Sequence, residues 1–458
     1  MKAIIEEFTE NLKKELTFFF DALPSLEEME AFTMTRLRKL ALDLMAGYAE
    51  EVDRALYEDR AGRRKEGLCI ERRKDARSIQ TISGELSYER NYYRLKDGTY
   101  CYPVDELLKV ERYQRLTKGT TEALAEEAVG NSYGEAARIV TEGKVSRQTV
   151  MKSIRSCRAR ENEPEDLRSV PVLHIDADED HVSLQNGKKL IVPLISVYEG
   201  IEKVGKGRHL CRNVFHYSEE KFTEDFWDNA VNELEKRYDL SRTRVYLHGD
   251  GAAWIKQGLE SFKDSVFVLD GYHKNKAKKA FFAGLKRGEG MAEKNALTRA
   301  LRTEDRALLT ETYNRRISEN PEHADGITEA MTYLYNNLSG ISVRYTDPEA
   351  TNGGATEPHV SHVLSSRLSS RPMGWSERTL RHLVPMLAAG SGVEKIGNAE
   401  EKAVREIVLS AAQVCRKKAV SNYRSKPAIV APESRYRTEV INNGRLTSLY
   451  RTIKDLSY

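Results

Sequence analysis

Residues 172–270 carry the pattern that most restricts the fold of this chain. The segments VLHIDADEDHVSLQ, LIVPLISVYEG and HLCRNVFHYS each read as a strand, with a turn at NGKK between the first two. The amphipathic segment EKFTEDFWDNAVNELEKRY then predicts a helix, followed by strand RVYLHGD, helix AAWIKQGLESF and strand SVFVLD. Three consecutive strands before the first helix disfavour a doubly wound sheet, in which strands and helices alternate from the start.

This element order is typical of an α/β ribonuclease-H-like core, and we predict that residues 168–270 form its first part. The residues that follow show only helical patterns, so we predict an all-helical insertion at 271–345. The four helices expected in this insertion are roughly 274–287, 291–302, 304–319 and 325–337. The last part of the core would follow at 346–420, where a Gly-rich turn opens the polar helix EPHVSHVLSSRLSS.

Smaller regions flank the predicted core. Residues 1–66 have apolar positions at helical spacing, with one interruption, and predict a helical N-terminal segment. Residues 67–118 predict a small basic β module of hairpins, with turns at Ser83-Gly84 and Asp97-Gly98. Residues 421–458 are basic and predict a loosely structured C-terminal tail.

Three tyrosines of the β module, Tyr88, Tyr92 and Tyr93, lie among charged residues. They could contact a phosphate backbone. A solvated hairpin surface accounts for the same pattern equally well, so the sequence leaves both interpretations open.

Residues 119–160 predict short helices with the spacing of a helix-turn-helix. Ser146 would cap the N-terminus of the second helix, whose first turn would point at base edges. The residues expected to contact DNA are Ser146, Arg147, Gln148, Thr149 and Lys152. Arg155, Arg158 and Arg160 add positive charge directly downstream. Helix pairs with this spacing also occur as ordinary packing units, and DNA binding is the preferred of the two interpretations.

Composition limits the class of protein. A chain of 458 residues, 40% of them hydrophobic, can form about three domains. The 73 basic and 70 acidic residues nearly cancel, so the net charge of +3 does not by itself demand a nucleic-acid partner. The start of the chain does not resemble a signal peptide and no run of about 18 apolar residues follows, so we expect a soluble, cytoplasmic protein with no membrane partner. The five cysteines are scattered without a CxxC pair, which argues against a disulfide framework and a thiolate zinc site.

Three acidic residues lie at positions in separate predicted elements that would suit a metal-dependent phosphodiesterase. Two Mg²⁺ or Mn²⁺ ions about 4 Å apart can activate a water and neutralise a leaving oxygen, and they require carboxylates from several elements. Asp178 lies in the first predicted strand, Asp250 directly follows the strand RVYLHG, and Glu357 opens the helix after the insertion.

The first strand offers three candidates, because Asp176, Asp178 and Asp180 all point to one face of a strand. Periodicity alone does not choose between them. Any one of them could instead be an acidic residue on the exposed side of an edge strand.

Asp250 lies between Gly249 and Gly251, which permit a tight turn and leave its carboxylate unshielded. The alternative role for Asp250 is an N-cap for a helix that begins at Ala252. Asp270 and His273 place a second acid and an imidazole after the next strand, which is weak evidence by itself.

The motifs IDADEDHVSLQ, LHGDGAAWI, LDGYHK and TEPHVSHVLSSRLSSRPMGWS resemble bacterial DDE transposases of the ISLre-type insertion-sequence group, relatives of the Mutator-like transposases. The resemblance spans most of the chain. In the wider group the first catalytic aspartate lies four residues before a strand valine, which selects Asp178 by its distance from Val182.

The resemblance also implies roles for the other candidates. The second catalytic aspartate of the group precedes a glycine, as Asp250 does, and the glutamate follows an all-helical insertion, as Glu357 does. An acid three residues before a histidine matches Asp270 and His273, and Asp176 would be a further supporting residue. The helix around Glu357 lacks the basic glutamate motif of the best-known Mutator-like members.

The function implied is metal-dependent DNA strand cleavage and strand transfer of an insertion sequence, with two Mg²⁺ or Mn²⁺ ions. Asp178 would bridge both ions, Asp250 and Glu357 would each hold one, and His273 would position a phosphate or a flanking base. The partners would be terminal inverted repeats and target DNA, bound by a homo-oligomer, a dimer or larger. Two alternatives remain from the sequence: a non-catalytic DNA-binding protein derived from a transposase, and a ribonuclease-H-like structure-specific nuclease.

Overall fold

The computed structural model describes residues 2–21, 24–160, 167–206, 208–286, 289–351, 353–354, 356–390, 392–397 and 405–424. The chain divides into two compact units. Unit 1 comprises residues 1–117 and 399–458, and unit 2 comprises residues 118–398. No helix among the described residues is long and apolar enough to cross a lipid bilayer.

Unit 1 packs helices against a three-stranded antiparallel sheet of order β1-β2-β3. Its helices are α1 (Lys2–Asp21), α2 (Leu26–Glu58), α3 (Arg60–Glu66), α4 (Pro103–Leu107) and α18 (Glu406–Arg424). Its strands are β1 (Cys69–Thr81), β2 (Gly84–Arg94) and β3 (Tyr100–Cys101). Ser25 begins α2 with a capping box, in which its hydroxyl accepts from Glu28 N and Glu28 accepts from Ser25 N.

The predicted helical segment and both predicted hairpin turns are confirmed in unit 1. Strands β1 and β2 pair Thr81 with Gly84 across the first turn, and Gly98 adopts a positive φ of 82° in the second. A DNA-contacting role for two of the tyrosines is wrong, because Tyr88 and Tyr93 are buried in the hydrophobic core of the unit. The basic tail lies outside the described residues from position 425 onward.

Unit 2 is built on a five-stranded mixed sheet of order β11-β10-β5-β6-β9. These strands are β5 (Val172–Ser183), β6 (Lys189–Tyr198), β9 (Phe215–Ser218), β10 (Arg244–Gly249) and β11 (Ser265–Leu269). The central strand β5 runs parallel to β10 and antiparallel to β6, and β11 runs parallel to β10. Because β5 is central, the interpretation of its aspartates as edge-strand surface residues is wrong.

Short paired strands and helices surround this sheet. The remaining strands are β4 (Cys157–Ala159) paired with β12 (Val393–Lys395), and β7 (Ile201–Gly205) paired with β8 (Arg208–Cys211). The helices before the insertion are α5 (Lys118–Gly130), α6 (Tyr133–Thr141), α7 (Arg147–Ile154), α8 (Phe226–Glu235) and α9 (Ala253–Gln257).

The insertion predicted as all-helical is helical, with one more helix than expected. Its helices are α10 (Gly271–Phe281), α11 (Met291–Thr303), α12 (Arg306–Glu319), α13 (Ala324–Asn336) and α14 (Leu338–Thr346). They are followed by α15 (Thr356–Val360), a π turn over Ser361–Ser365, α16 (Ser366–Leu368) and α17 (Glu377–Ala389). Asn337 alone separates α13 from α14, at φ −116° and ψ 17°.

The third strand predicted for the sheet, HLCRNVFHYS, is wrong in its first half. Residues up to Cys211 belong to the β7–β8 hairpin. Two backbone hydrogen bonds extend this hairpin, one from Glu199 N to Arg212 O and one from Arg212 N to Gly200 O. Asn213 then adopts a left-handed conformation with φ 52°, which no extended strand allows. Only Phe215–Ser218 joins the main sheet. The following helix is also shorter than predicted and begins at Phe226.

The two faces of the main sheet differ in chemistry. One face contributes Leu173, Ile175 and Ala177 to an apolar core with α8 and α9. The opposite face of the same strand carries His174 and Asp176, both buried. Alternation along a strand produces this division, and it places the candidate acids on the polar face.

Candidate functional site

Asp178 lies in β5, and Asp250 directly follows the neighbouring strand β10. The parallel register of β5 and β10 pairs His248 with Asp176, and the same register continued by two residues sets Asp250 beside Asp178. Gly249 permits this proximity, because a Cβ there would lie 2.8 Å from the carbonyl oxygen of Ala177. The backbone of Asp250 therefore comes level with Asp178 where β10 ends.

The three aspartates of β5 occupy different environments. Asp176 Oδ1 accepts a hydrogen bond from the Tyr198 hydroxyl at 2.9 Å, and Asp180 Oδ1 accepts one from Ser369 Oγ at 2.7 Å. Both of these carboxylates are buried, whereas Asp178 is half-buried. Asp178 is thus the acid of the three that lies level with Asp250 and reaches solvent.

The side chain of Asp250 stabilises the turn that follows β10. Its Oδ1 accepts from Ala252 N at 2.8 Å, and Gly251 supplies the positive φ of 91° that the turn requires. Helix α9 begins only at Ala253 and its N-cap residue Ala252 has no side-chain cap, so the interpretation of Asp250 as a helix N-cap is wrong.

Asp270 and His273 form a pair at the start of α10, beside the two carboxylates. Asp270 follows β11, and its N–H donates to the carbonyl oxygen of Gly249 at 3.0 Å. Its carboxylate accepts from His273 N at 2.8 Å and lies 2.6 Å from His273 Nδ1. The hydrogen bond to Asp270 raises the pKa of His273, and the charges of Asp250 and Asp178 raise it further. His273 therefore holds a positive charge to higher pH than an ordinary histidine.

Glu357 is the second residue of α15, a helix that packs against β5. Its side chain lies outside the described part of the structure, so its distance from Asp178 and Asp250 is not defined. Among the described side chains, no group of three or more His, Cys, Asp and Glu residues could hold a metal ion. Asp178 and Asp250 carry the hard oxygen donors that Mg²⁺ prefers.

A cavity of about 570 Å³ opens beside Asp250. Its wall includes Lys256 from α9 and Tyr333, Asn336 and Asn337 from the insertion. The Tyr333 hydroxyl donates to the carbonyl oxygen of Asp250, and burial lowers the pKa of Lys256. The insertion therefore forms part of the surroundings of this carboxylate.

A buried aromatic and imidazole cluster on the polar face was not predicted. His174 lies between Tyr198 and Tyr246, with ring centroids 5.5 and 5.3 Å away, and its Nδ1 lies 3.1 Å from His248 Nε2. Burial lowers the pKa of His248 to about 4, so this ring is neutral at pH 7. Polar residues at alternate positions of VLHIDADED were the only sequence signal for the cluster.

The proposed DNA-contacting residues lie at the start of α7. Ser146 caps this helix as predicted, since its hydroxyl accepts from Thr149 N at 3.2 Å. Ser146, Arg147, Gln148 and Lys152 are exposed and Thr149 is half-buried.

The three arginines downstream make contacts within unit 2. Arg155 donates to Thr379 and Ser376, Arg158 pairs with Glu394, and Arg160 donates to the carbonyl oxygen of Val393. Of the three, Arg158 is the one paired with a carboxylate, whereas Arg155 and Arg160 donate to neutral oxygens.

These features define an α/β protein with one acid in the central strand, a second directly after the adjacent parallel strand, and a helical insertion that contacts the second. Residues 21–403 match the model of a family described as "Uncharacterised protein family (UPF0236)", and the chain belongs to this family.

Several members of the family are similar over nearly the whole chain. Two proteins of Caldanaerobacter subterraneus subsp. tengcongensis are each 32% identical and cover 98% of this chain and 96% of their own length. The printed name of the first joins eleven locus designations, and that of the second joins four. A protein of Streptococcus gallolyticus, named "UPF0236 protein in vanSb 3'region", is 22% identical over 80% of this chain and 82% of its own.

Proposed function

We propose that this chain is a DDE transposase, an enzyme that cuts DNA at the ends of an insertion sequence and joins those ends to target DNA. The observation that supports this most is the parallel register of β10 and β5, which, continued by two residues past His248 and Asp176, brings Asp250 level with Asp178. Metal-dependent phosphodiester cleavage needs carboxylates that converge from separate elements in this way.

The strand arrangement supports a ribonuclease-H-like core. Three strands, a helix, a strand, a short helix and a fifth strand follow one another along the chain, and the first strand lies in the centre of the sheet. The insertion α10–α14 lies between the second candidate aspartate and the candidate glutamate, in the place that the resemblance to transposases implies.

Asp178, Asp250 and Glu357 would hold two Mg²⁺ or Mn²⁺ ions, because carboxylate oxygens are the ligands that these ions prefer. Bound there, the ions would supply a nucleophile at neutral pH and stabilise charge on the leaving oxygen. His273, whose pKa is raised by Asp270, would be a cation beside these acids and would bind a DNA phosphate rather than accept a proton.

The exposed residues at the start of α7 would contact the terminal inverted repeats. Arg147 and Lys152 are cations on this helix, and Gln148 is a side chain able to donate to and accept from a base edge. Since two DNA ends have to be brought together, we expect a dimer or a larger homo-oligomer.

The names of the relatives favour a mobile gene over a stationary nuclease. The name of one related protein joins eleven designations of a single series, and that of another from the same organism joins four. A coding sequence that is copied or moved by its own product would accumulate in this manner.

The test begins with the DNA on either side of the coding region, where short inverted repeats bounded by a direct duplication are expected. A duplex carrying one such end is then incubated with the purified full chain, Mg²⁺ and a target plasmid, and nicked and joined strands are separated on denaturing gels. We expect both products. Sequence-selective binding without cleavage would support the non-catalytic alternative, and cleavage of branched substrates without joining would support the nuclease alternative.

A further inference from the structure

Tyr198, the last residue of β6, contacts both the strand of Asp178 and the residues just before the helix of Glu357. Its fully buried hydroxyl donates to Asp176 Oδ1 at 2.9 Å and accepts from Gly354 N at 2.8 Å. Asp176 lies two residues before Asp178, and Gly354 lies three residues before Glu357. One phenol oxygen thus joins strand β5 to the turn that leads into α15.

His359 makes a second contact between the same two elements. Its Nδ1 lies 3.2 Å from Asp176 Oδ2, within ion-pair distance although outside hydrogen-bond geometry. Its ring packs edge-on against Tyr198, with centroids 5.7 Å apart. The two oxygens of Asp176 therefore face one group from β6 and one from α15.

Gly353, just before the residue that binds Tyr198, lies in close contact with two buried histidines. A Cβ at Gly353 would lie 2.3 Å from His248 Nε2 and 2.6 Å from His174 Nδ1. The backbone therefore passes directly over two buried imidazoles, at a position where only glycine fits. This contact fixes Gly353, and the Tyr198 hydroxyl holds the neighbouring Gly354.

We propose that Tyr198 is a positioning residue, which fixes the helix of Glu357 relative to the strand of Asp178 through Gly354 and Asp176. The consequence for metal binding rests on the proposed function, whereas the contact itself does not. Substitution of a residue that orients metal ligands without touching the metal typically lowers metal affinity or activity by about 10- to 100-fold. Burial raises the pKa of Tyr198, so its hydroxyl remains a donor at every pH at which the protein would be assayed.

Tyr246 offers a matched control. It is also a buried residue on the same face of the sheet, in the strand on the other side of β5, and it stacks on the same His174 ring. Its hydroxyl donates to Asp347 Oδ2 at 2.6 Å and not to Asp176 or Gly354. Tyr198→Phe and Tyr246→Phe therefore each remove one hydroxyl that donates to an aspartate, from a ring that stacks on His174, but only the first removes the hydrogen bond to Gly354.

The experiment compares hydrogen–deuterium exchange of peptides that begin before residue 352 and extend to about residue 364, in the full wild-type chain, Tyr198→Phe and Tyr246→Phe. We expect exchange about tenfold faster in Tyr198→Phe and unchanged in Tyr246→Phe, because the amide of Gly354 loses its acceptor only in the first. Unchanged exchange in Tyr198→Phe, or equal acceleration in both variants, would overturn the proposal.

A second measurement follows binding of Mn²⁺ alone, by the loss of its free-ion electron paramagnetic resonance signal. We expect the dissociation constant to rise about tenfold in Tyr198→Phe and to stay unchanged in Tyr246→Phe. If exchange changes as expected but wild-type protein neither binds Mn²⁺ nor cuts DNA, the proposed function fails while the structural role of Tyr198 stands. If wild-type and Tyr198→Phe bind Mn²⁺ equally, the link to metal binding is refuted.

Discussion

Gly249 lies where β10 packs so closely against β5 that a side chain larger than hydrogen would collide with the neighbouring strand. An alanine Cβ at this position would lie 2.8 Å from the backbone oxygen of Ala177 and 2.8 Å from Cδ1 of Ile255. Ile255 is buried, and Ala177 belongs to the central strand, so neither atom can move without disturbing the core. Overpacking of this kind typically costs about 1–3 kcal/mol.

We therefore expect Gly249→Ala to lower the free energy of unfolding of unit 2 by about 2 kcal/mol, or the melting temperature by about 4–8 °C. All three tryptophans, Trp227, Trp254 and Trp375, lie in unit 2, so tryptophan fluorescence during urea or thermal unfolding reports on this unit. The substitution should also reduce metal-dependent cleavage, because it forces Asp250 away from Asp178.

Gly326→Ala is the matched control for this substitution. Gly326 is exposed within α13, and a Cβ there would meet nothing within 4 Å. Alanine favours a helix over glycine by roughly 1 kcal/mol, so the expected change has the opposite sign. Gly249→Ala protein that unfolds at the wild-type midpoint or above it would refute the close approach of the two strands.

Two further predictions concern titration and DNA binding. Burial lowers the pKa of His216 and of His248 to about 4, below the ordinary 6.5, so the unfolded chain takes up protons first as the pH falls. The contribution of these two histidines to the free energy of unfolding of unit 2 should therefore be fully present above about pH 6.5 and decline towards pH 4. A free energy of unfolding, measured by urea titration, that does not fall between pH 6.5 and pH 4 would contradict this. Arg147→Ala and Lys152→Ala should each weaken binding to a duplex of the element's end and lower the slope of log affinity against log salt concentration by about one. Arg158→Ala, the control, removes a cation already paired with Glu394 and should change neither quantity.

The order of elements in unit 2 was predictable because strands and helices leave different periodicities in the sequence. The alternation of β5 and the apolar run of β10 are both strong patterns. What periodicity does not contain is the register between strands distant in the chain. The alignment of Asp178 with Asp250, and the stacking of Tyr198, His174 and Tyr246 across three strands, both depend on that register.

The wrong predictions have local causes. The strand HLCRNVFHYS is interrupted at Asn213 by a backbone conformation that side-chain polarity does not reveal. The tyrosines of β2 resemble a charged surface in sequence, but Tyr88 and Tyr93 face the helices of unit 1, where their rings are buried. The pairing of β4 with β12 joins three residues near position 158 to three near 394, and segments this short carry no pattern of their own.

The most direct test of the proposed site compares two aspartates of one strand. Asp178 and Asp180 share a face of β5, but Asp178 lies level with Asp250, while Asp180 is buried and accepts from Ser369. Cleavage of a duplex carrying the element's end is measured with Mg²⁺ for Asp178→Asn and Asp180→Asn, after tryptophan fluorescence has shown that both unfold near the wild-type midpoint.

A metal site at Asp178 contributes several kcal/mol of charge stabilisation, so Asp178→Asn should lower the cleavage rate about a thousandfold or more. Asp180→Asn should retain the rate to within about tenfold, because its amide oxygen can still accept from Ser369. Full activity in Asp178→Asn, or equal losses in both variants, would contradict the assignment of the site.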